Sequence, residues 1–301
     1  MPTAVIDIGT NTLLLLIVDN AMQPLVDLCR FGRLGKGLDA TGQLSEESIA
    51  KSLEICREYR TVMDQHGVAQ PIVIATQAAR EAKNAAAFVE PAEAILNAKI
   101  EIIEGRREAE LAATAVARTF PDLADARYLV VDVGGGSTEL ISVDNGAVLH
   151  QVSVPIGAVR MTERHLKHDP PIADEVAALE ADIDRHLQAL TLPRGVAVIA
   201  TAGTATTLAA IKLGLTTYDA AAVTGLRILP RALNELVGRL IAATVAERKL
   251  IPGMEPARAD VIAAGAAIFA RVVARVDSPV LVTCDRGIRW GVAYERMSTG
   301  R

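Results

Sequence analysis

Apolar residues come in short runs closed by turn formers at the start of the chain and again near its middle. Residues 5–8, apolar except for Asp7, lead through Gly9, Thr10, Asn11 and Thr12 into Leu13–Val18 and stop at Asp19 and Asn20. Residues 130–133, apolar except for Asp132, lead through Gly134, Gly135, Gly136 and Ser137 into 138–143 and stop at Asp144 and Asn145. Runs this short, rich in Val, Ile and Leu and bounded by Gly, Asp and Asn, predict strands joined by tight turns. The copies align without a gap, since Asp7 to Asp132 and Asp19 to Asp144 are both separated by 125 positions. With the segments that follow, Pro24–Arg30 and 147–155, each copy predicts a three-stranded meander.

After each meander the pattern becomes mixed. Ser45 followed by Glu46 and Glu47 marks a helix N-terminus, where a hydroxyl caps and the dipole favours carboxylates, and the helix is predicted to run to about His66. Strands are predicted over 71–76 and 99–103, helices over 77–87 and 106–119. The second half echoes this plan, with helices over 158–168, 173–190, 204–213, 230–243, 258–275 and 285–297 and strands over 195–201 and 279–283. Duplicated meander-plus-βα units predict an α/β fold of two domains, 1–120 and 121–301, flanking an interdomain cleft, with the last helix able to pack back on the first domain.

Composition narrows the function. Half of the 301 residues are hydrophobic, enough for two cores, while only 3% are aromatic, which argues against a stacking platform for nucleic acid. A net charge of −5 means that a phosphate-rich ligand needs a local cluster of donors rather than a basic surface. The three cysteines, Cys29, Cys56 and Cys284, are odd in number and far apart, which fits a reducing cytoplasm rather than a disulfide framework. No basic leader precedes the first strand, and no apolar run reaches the roughly 18 residues of a membrane span.

The chemistry lies in the turns. An aspartate at a strand end followed by glycine sets a carboxylate beside backbone N–H groups that can face an anion. Gly134, Gly135 and Gly136 admit a phosphate close to the backbone, and Ser137 and Thr138 add hydroxyls. A solitary turn of this kind serves a plain hairpin equally well; two copies suggest a shared phosphate chain with a hard cation.

The paired turns resemble the two phosphate loops of the actin, sugar-kinase and heat-shock ATPase superfamily. Three further segments, 74–84 (IATQAAREAKN), 101–109 (EIIEGRREA) and 131–139 (VDVGGGSTE), narrow the resemblance to the exopolyphosphatase / guanosine pentaphosphate phosphatase family. Segments 155–163, 202–207 and 285–291 resemble it too, so the likeness spans nearly the whole chain in order.

The resemblance implies two ribonuclease-H-like, actin-like ATPase domains and a hydrolase that removes terminal phosphate from polyphosphate. It implies Glu108 as the base that deprotonates the attacking water and Arg80 as the clamp on the transferred phosphoryl group. That role requires the Glu108 carboxylate to reach solvent. Thr10, Asn11, Thr12, Gly134, Gly135, Gly136, Ser137, Thr138, Gly203 and Thr204 are implied to bind phosphate oxygens. Asp7, Asp132 and Glu139 are implied to hold Mg²⁺, with Mn²⁺ also suited to oxygen ligands.

In one respect the chain departs from that pattern: Leu14 stands at the repeat position of Glu139, so the first turn is chemically poorer. Larger members continue into a C-terminal helical domain, and the shorter length here leans toward polyphosphate over guanosine pentaphosphate. The alternatives are a guanosine pentaphosphate 5′-phosphohydrolase, a kinase of the wider superfamily, and a non-catalytic polyphosphate or nucleotide sensor. A homodimer is compatible with all of them; nucleic acid and membrane partners are not expected. Arg160, Arg164, His165, Lys167 and His168 form a basic run that reads first as a solvated face.

Overall fold

In the computed structural model of the protein, which describes residues 2–299, the chain divides into two compact units. One extends from the N-terminus to Ala115 and includes the segment from Ile288 onward; the other is Val116–Gly287.

The first unit opens with an antiparallel meander, β1 (Thr3–Ile8), β2 (Leu13–Val18) and β3 (Pro24–Arg30). A short turn of helix α1 (Leu38–Thr41) precedes α2 (Glu46–Gln65), which Ser45 caps by accepting from the Ser48 N–H. Then follow β4 (Ile72–Ala75), α3 (Gln77–Glu81), α4 (Ala86–Leu96), β5 (Ile100–Ile102) and α5 (Gly105–Thr119), inside which the unit boundary falls. The sheet order is β3-β2-β1-β4-β5, with β4 and β5 parallel to β1, the ribonuclease-H-like arrangement that the family resemblance implies.

Strand alternation divides the apolar residues between two faces. Ala4, Ile6 and Ile8 pack with Ile55, Tyr59 and Met63 of α2 and Phe88 of α4. Val5, Leu16, Val18 and Ile74 pack on the other face against Leu111 and Ala115 of α5 and against Trp290 and Ala293 of the C-terminal helix Ile288–Thr299. Asp7 continues the second row, so it lies on the face that α5 covers.

The second unit repeats the plan with β6 (Arg127–Val133), β7 (Thr138–Asp144) and β8 (Ala147–Val154), then α6 (Ala158–His165) and α7 (Ala173–Gln188). β9 (Ala197–Thr201), α8 (Ala202–Leu213), α9 (Ala220–Val223), β10 (Arg227–Ile228), α10 (Pro230–Ala242), α11 (Val245–Arg248), α12 (Ile262–Arg275) and β11 (Leu281–Thr283) complete it; the C-terminal helix is α13. Its sheet order is β10-β11-β9-β6-β7-β8, so β8-β7-β6-β9-β11 matches the five strands of the first unit in order and direction. Even the β-bulges fall at matching positions, between Ile17 and Val18 and between Ser142 and Val143. Leu129, Val131 and Val133 face a core built with α6, α7, α8, α10 and α12, which leaves Asp132 on the opposite face.

The helix expected over 77–87 is two helices, α3 and α4, with α4 reaching to Leu96 past Pro91. Tertiary bonds override the local alanine-rich propensity there. Ala82 turns extended, the Lys83 N–H donates to the Gly42 carbonyl, and the Asn84 side chain exchanges two hydrogen bonds with the backbone of Leu44. Similarly, the helix expected from Arg258 begins at Ile262, after a 3₁₀ turn over Pro256–Arg258. Among the described residues no helix is long and apolar enough to cross a membrane, and none of the three cysteines forms a disulfide.

Candidate active site

The two glycine turns close with the same hydrogen bond. Gly9 N–H donates to the Thr12 carbonyl at 2.9 Å, and Gly134 N–H donates to the Ser137 carbonyl at 3.0 Å, each pair separated from its counterpart by the repeat offset. In the second unit, the carbonyl of Gly134 accepts from Ala158 N–H, and that of Gly135 from Val159 and Arg160 N–H. These are the orphan donors of the first turn of α6, so the loop caps the helix. A trans peptide points its N–H opposite to its carbonyl. With both carbonyls turned toward α6, the N–H groups of Gly135 and Gly136 face away from it, and neither has a hydrogen-bond partner among the described residues. Two adjacent N–H groups presented in this way form an anion cradle.

The first unit does the same with different partners. The Thr10 carbonyl accepts from Gly35 N–H and the Asn11 carbonyl from Arg33 N–H, which directs the N–H groups of Asn11 and Thr12 to the other side. Some of the turn hydroxyls are committed within the protein. The Thr10 hydroxyl donates to Gln77 Oε1 at 2.8 Å, the Thr138 hydroxyl donates to the Ile156 carbonyl, and Thr204 is buried against Gly265 of α12.

Carboxylates cluster beside the second turn. Asp132 and Glu139 stand directly opposite each other on β6 and β7, hence on one face with their side chains adjacent. Both are buried. Glu139 Oε1 accepts from the hydroxyls of Ser137 at 2.9 Å and Ser153 at 2.7 Å, and Asp132 Oδ2 accepts from Thr201 at 2.8 Å. Burial pushes the Asp132 carboxyl above its ordinary pKa, against the opposing pull of the Thr201 bond. Two buried like charges in cross-strand contact cost stability unless a cation joins them. The donor set is all oxygen, which fits Mg²⁺, an ion that keeps several waters and needs few carboxylates. Among the described residues no group of three His, Cys, Asp or Glu side chains is arranged around a metal position, so the remaining ligands would be water or substrate oxygens. In the first unit Asp7 faces Leu14 at the equivalent register, so that turn carries one carboxylate where the second carries two.

Arg80 and Glu108 come together within the first unit. Arg80, at the end of α3, donates from Nη1 to Glu108 Oε1 at 2.8 Å and to the Ile103 carbonyl at 2.5 Å. Glu108 lies in the first turn of α5, three residues before Leu111, on the stripe that packs over the sheet face bearing Asp7. The Glu108 side chain keeps 8% of its surface and that of Arg80 keeps 19%, so solvent touches the pair only at an edge.

Several participants escaped the sequence reading. Thr201 and Ser153 position the carboxylates, and Gln77 restrains the first turn. Arg258 packs its guanidinium where a side chain on Gly203 would lie, bringing a cation to the start of α8. The preceding Ala202 has φ +66°, a strained conformation for a residue with a Cβ and one that accumulates at functional sites. The glycine itself was legible; the arginine 55 positions later was not.

The chain is similar to known proteins over nearly its whole length. A profile of the Ppx/GppA phosphatase family matches residues 14–299. "Exopolyphosphatase 2" of Mycobacterium tuberculosis is 37% identical over 281 residues, covering 88% of each chain. The crystal structure of an exopolyphosphatase from Cytophaga hutchinsonii superposes with a TM-score of 0.90 at 29% identity, over 100% of this chain and 99% of that one. The Aquifex aeolicus member of the Ppx/GppA family gives a TM-score of 0.82 at 30% identity, again over 100% and 99%.

Proposed function

The chain belongs to the Ppx/GppA phosphatase family, and from that premise we propose that it is an exopolyphosphatase, releasing terminal phosphate from linear polyphosphate. The observation that carries the reading is Glu108, a nearly buried carboxylate bonded to Arg80. A hydrolase needs a base beside the group that carries the transferred phosphoryl charge, and a kinase does not need a water-activating one.

Phosphate oxygens bind the N–H groups of Gly135 and Gly136 in the second unit, and the N–H groups of Asn11 and Thr12 are the corresponding donors of the first. A water oxygen forms the new bond to phosphorus as the bridging P–O bond breaks in line. Glu108 takes the proton, and the bridging oxygen leaves as the new chain end. Arg80 shares its fork between Glu108 and the transferred group, which fixes the base and neutralises equatorial charge. Asp132 and Glu139 of the second unit would hold Mg²⁺, which when bound supplies charge neutralisation along the phosphate chain, and Asp7 is the corresponding carboxylate of the first unit. Arg258 adds a cation for phosphates further along. The reading places the protein in the cytoplasm, where its thiols stay reduced.

The test is phosphate release from polyphosphates of graded length and from guanosine pentaphosphate, with and without Mg²⁺. Metal-dependent release from polyphosphate is expected. Preference for guanosine pentaphosphate would move the reading to the other branch of the family, and binding without release from either would make the protein a sensor.

A further inference from the structure

We propose that Asp182 is a positioning residue for the phosphate-binding turn, acting through α6. The inference rests on the reading of Gly135 and Gly136 as phosphate ligands.

The helix has eight residues, so it is about 12 Å long, and two turns alone hold little helical structure. Both of its ends are tied. At its N-terminus Ala158, Val159 and Arg160 hold the carbonyls of Gly134 and Gly135, and the α-carbon of Gly157 lies so close to Gly135 that a Cβ there would overlap its carbonyl. At its C-terminus Arg164 donates to Asp182 Oδ2 at 3.1 Å and His165 Nε2 meets the same oxygen at 2.7 Å.

Asp182 belongs to α7, and its side chain is only 3% exposed. Its other oxygen takes Arg185 at 2.9 Å and has His186 at 3.4 Å, both from its own helix. One buried carboxylate thus fixes the far end of the helix whose near end sets the direction of the Gly135 and Gly136 N–H groups. Neighbouring Asp184 points elsewhere: it binds Arg271 of α12, a helix that packs on α7 and also on α6. The two aspartates lie two residues apart, on opposite sides of α7, Asp182 bonded to α6 and Asp184 to α12, so comparing them separates positioning from general support.

Asp182→Asn keeps the shape and removes the charge that holds Arg164 and His165. The expected result is a KM for polyphosphate raised about 3- to 30-fold, with a smaller change in kcat per folded molecule. Amide exchange over residues 157–160 should accelerate. Asp184→Asn should lower thermal stability to a similar degree with KM within about twofold of wild type. Equal KM values for the two variants, or unchanged exchange at 157–160 in Asp182→Asn, would overturn the proposal. Should Asp182→Asn not fold, Arg164→Gln carries the test: a raised KM supports the strut and an unchanged one refutes it. If wild-type protein releases no phosphate, the reading of the reaction fails, while the exchange measurement still decides whether Asp182 orders the turn.

Discussion

Replacing Glu108 with glutamine removes a proton acceptor and keeps a hydrogen-bond acceptor in the same place. The distinction matters because Glu108 Oε1 lies 2.8 Å from Arg80 Nη1 and the side chains are 8% and 19% exposed. Alanine would strand a largely desolvated guanidinium, a change that costs about 3–5 kcal/mol when a buried pair loses one partner. Glutamine leaves Arg80 bonded to an amide oxygen and to the Ile103 carbonyl, so the loss is the difference between a charged and a neutral hydrogen bond, about 1–2 kcal/mol. For a chain of this size that lowers Tm by about 2–6 °C, and the variant stays folded at 25 °C.

Losing the base should lower kcat by about 10²- to 10⁴-fold. The assay is phosphate release at saturating polyphosphate, normalised to folded protein by circular dichroism, with retained binding checked as a thermal shift on adding polyphosphate. A Glu108→Gln variant that keeps more than about a tenth of wild-type kcat, or whose loss follows its folded fraction, would refute the assignment of the base.

Three other outcomes are expected. Gly157→Ala forces a Cβ into the Gly135 carbonyl; a chemical denaturation curve should show about 1–3 kcal/mol of lost stability, and polyphosphate affinity should weaken with it. Asp132→Asn should raise Tm in the absence of metal, because the folded protein no longer carries a carboxylate whose pKa burial has raised. That gain is full above the raised pKa and vanishes below the ordinary value of 3.8, and the stabilisation of wild type by Mg²⁺ should be lost in the variant. Glu175, held to about 2 mainly by its hydrogen bond to His168, with backbone N–H bonds from His168, Lys167 and Ile172, contributes stability that is present above 4.5 and lost as pH falls toward 2. Melting curves of Glu175→Gln across that window should be flatter than those of wild type.

Much of the architecture can be read from residue order because it is local. A six-residue strand, a glycine turn and a second strand need only neighbours, and the offset of 125 carries this unit intact into the other half. The predicted meanders, the Ser45 cap and the departure at Leu14 all reappear, the last as the residue facing Asp7 across the sheet. Failures cluster where distant groups outbid local preference, as where Gly42 and Leu44 break the helix expected over 77–87.

The candidate site divides along the same line. Turn glycines and strand-end carboxylates follow from the period of the strands and the need for backbone to approach an anion, so the amino-acid order by itself determined where they lie. Which groups those residues meet was decided only by the tertiary structure. Glu108 meets an arginine 28 positions earlier, Asp132 a threonine 69 positions later, and the Gly134 and Gly135 carbonyls turn toward a helix anchored on Asp182. Hydrogen bonds and ion pairs act over about 3 Å in space regardless of separation along the chain, so no local pattern specifies them until the sheets and helices have packed.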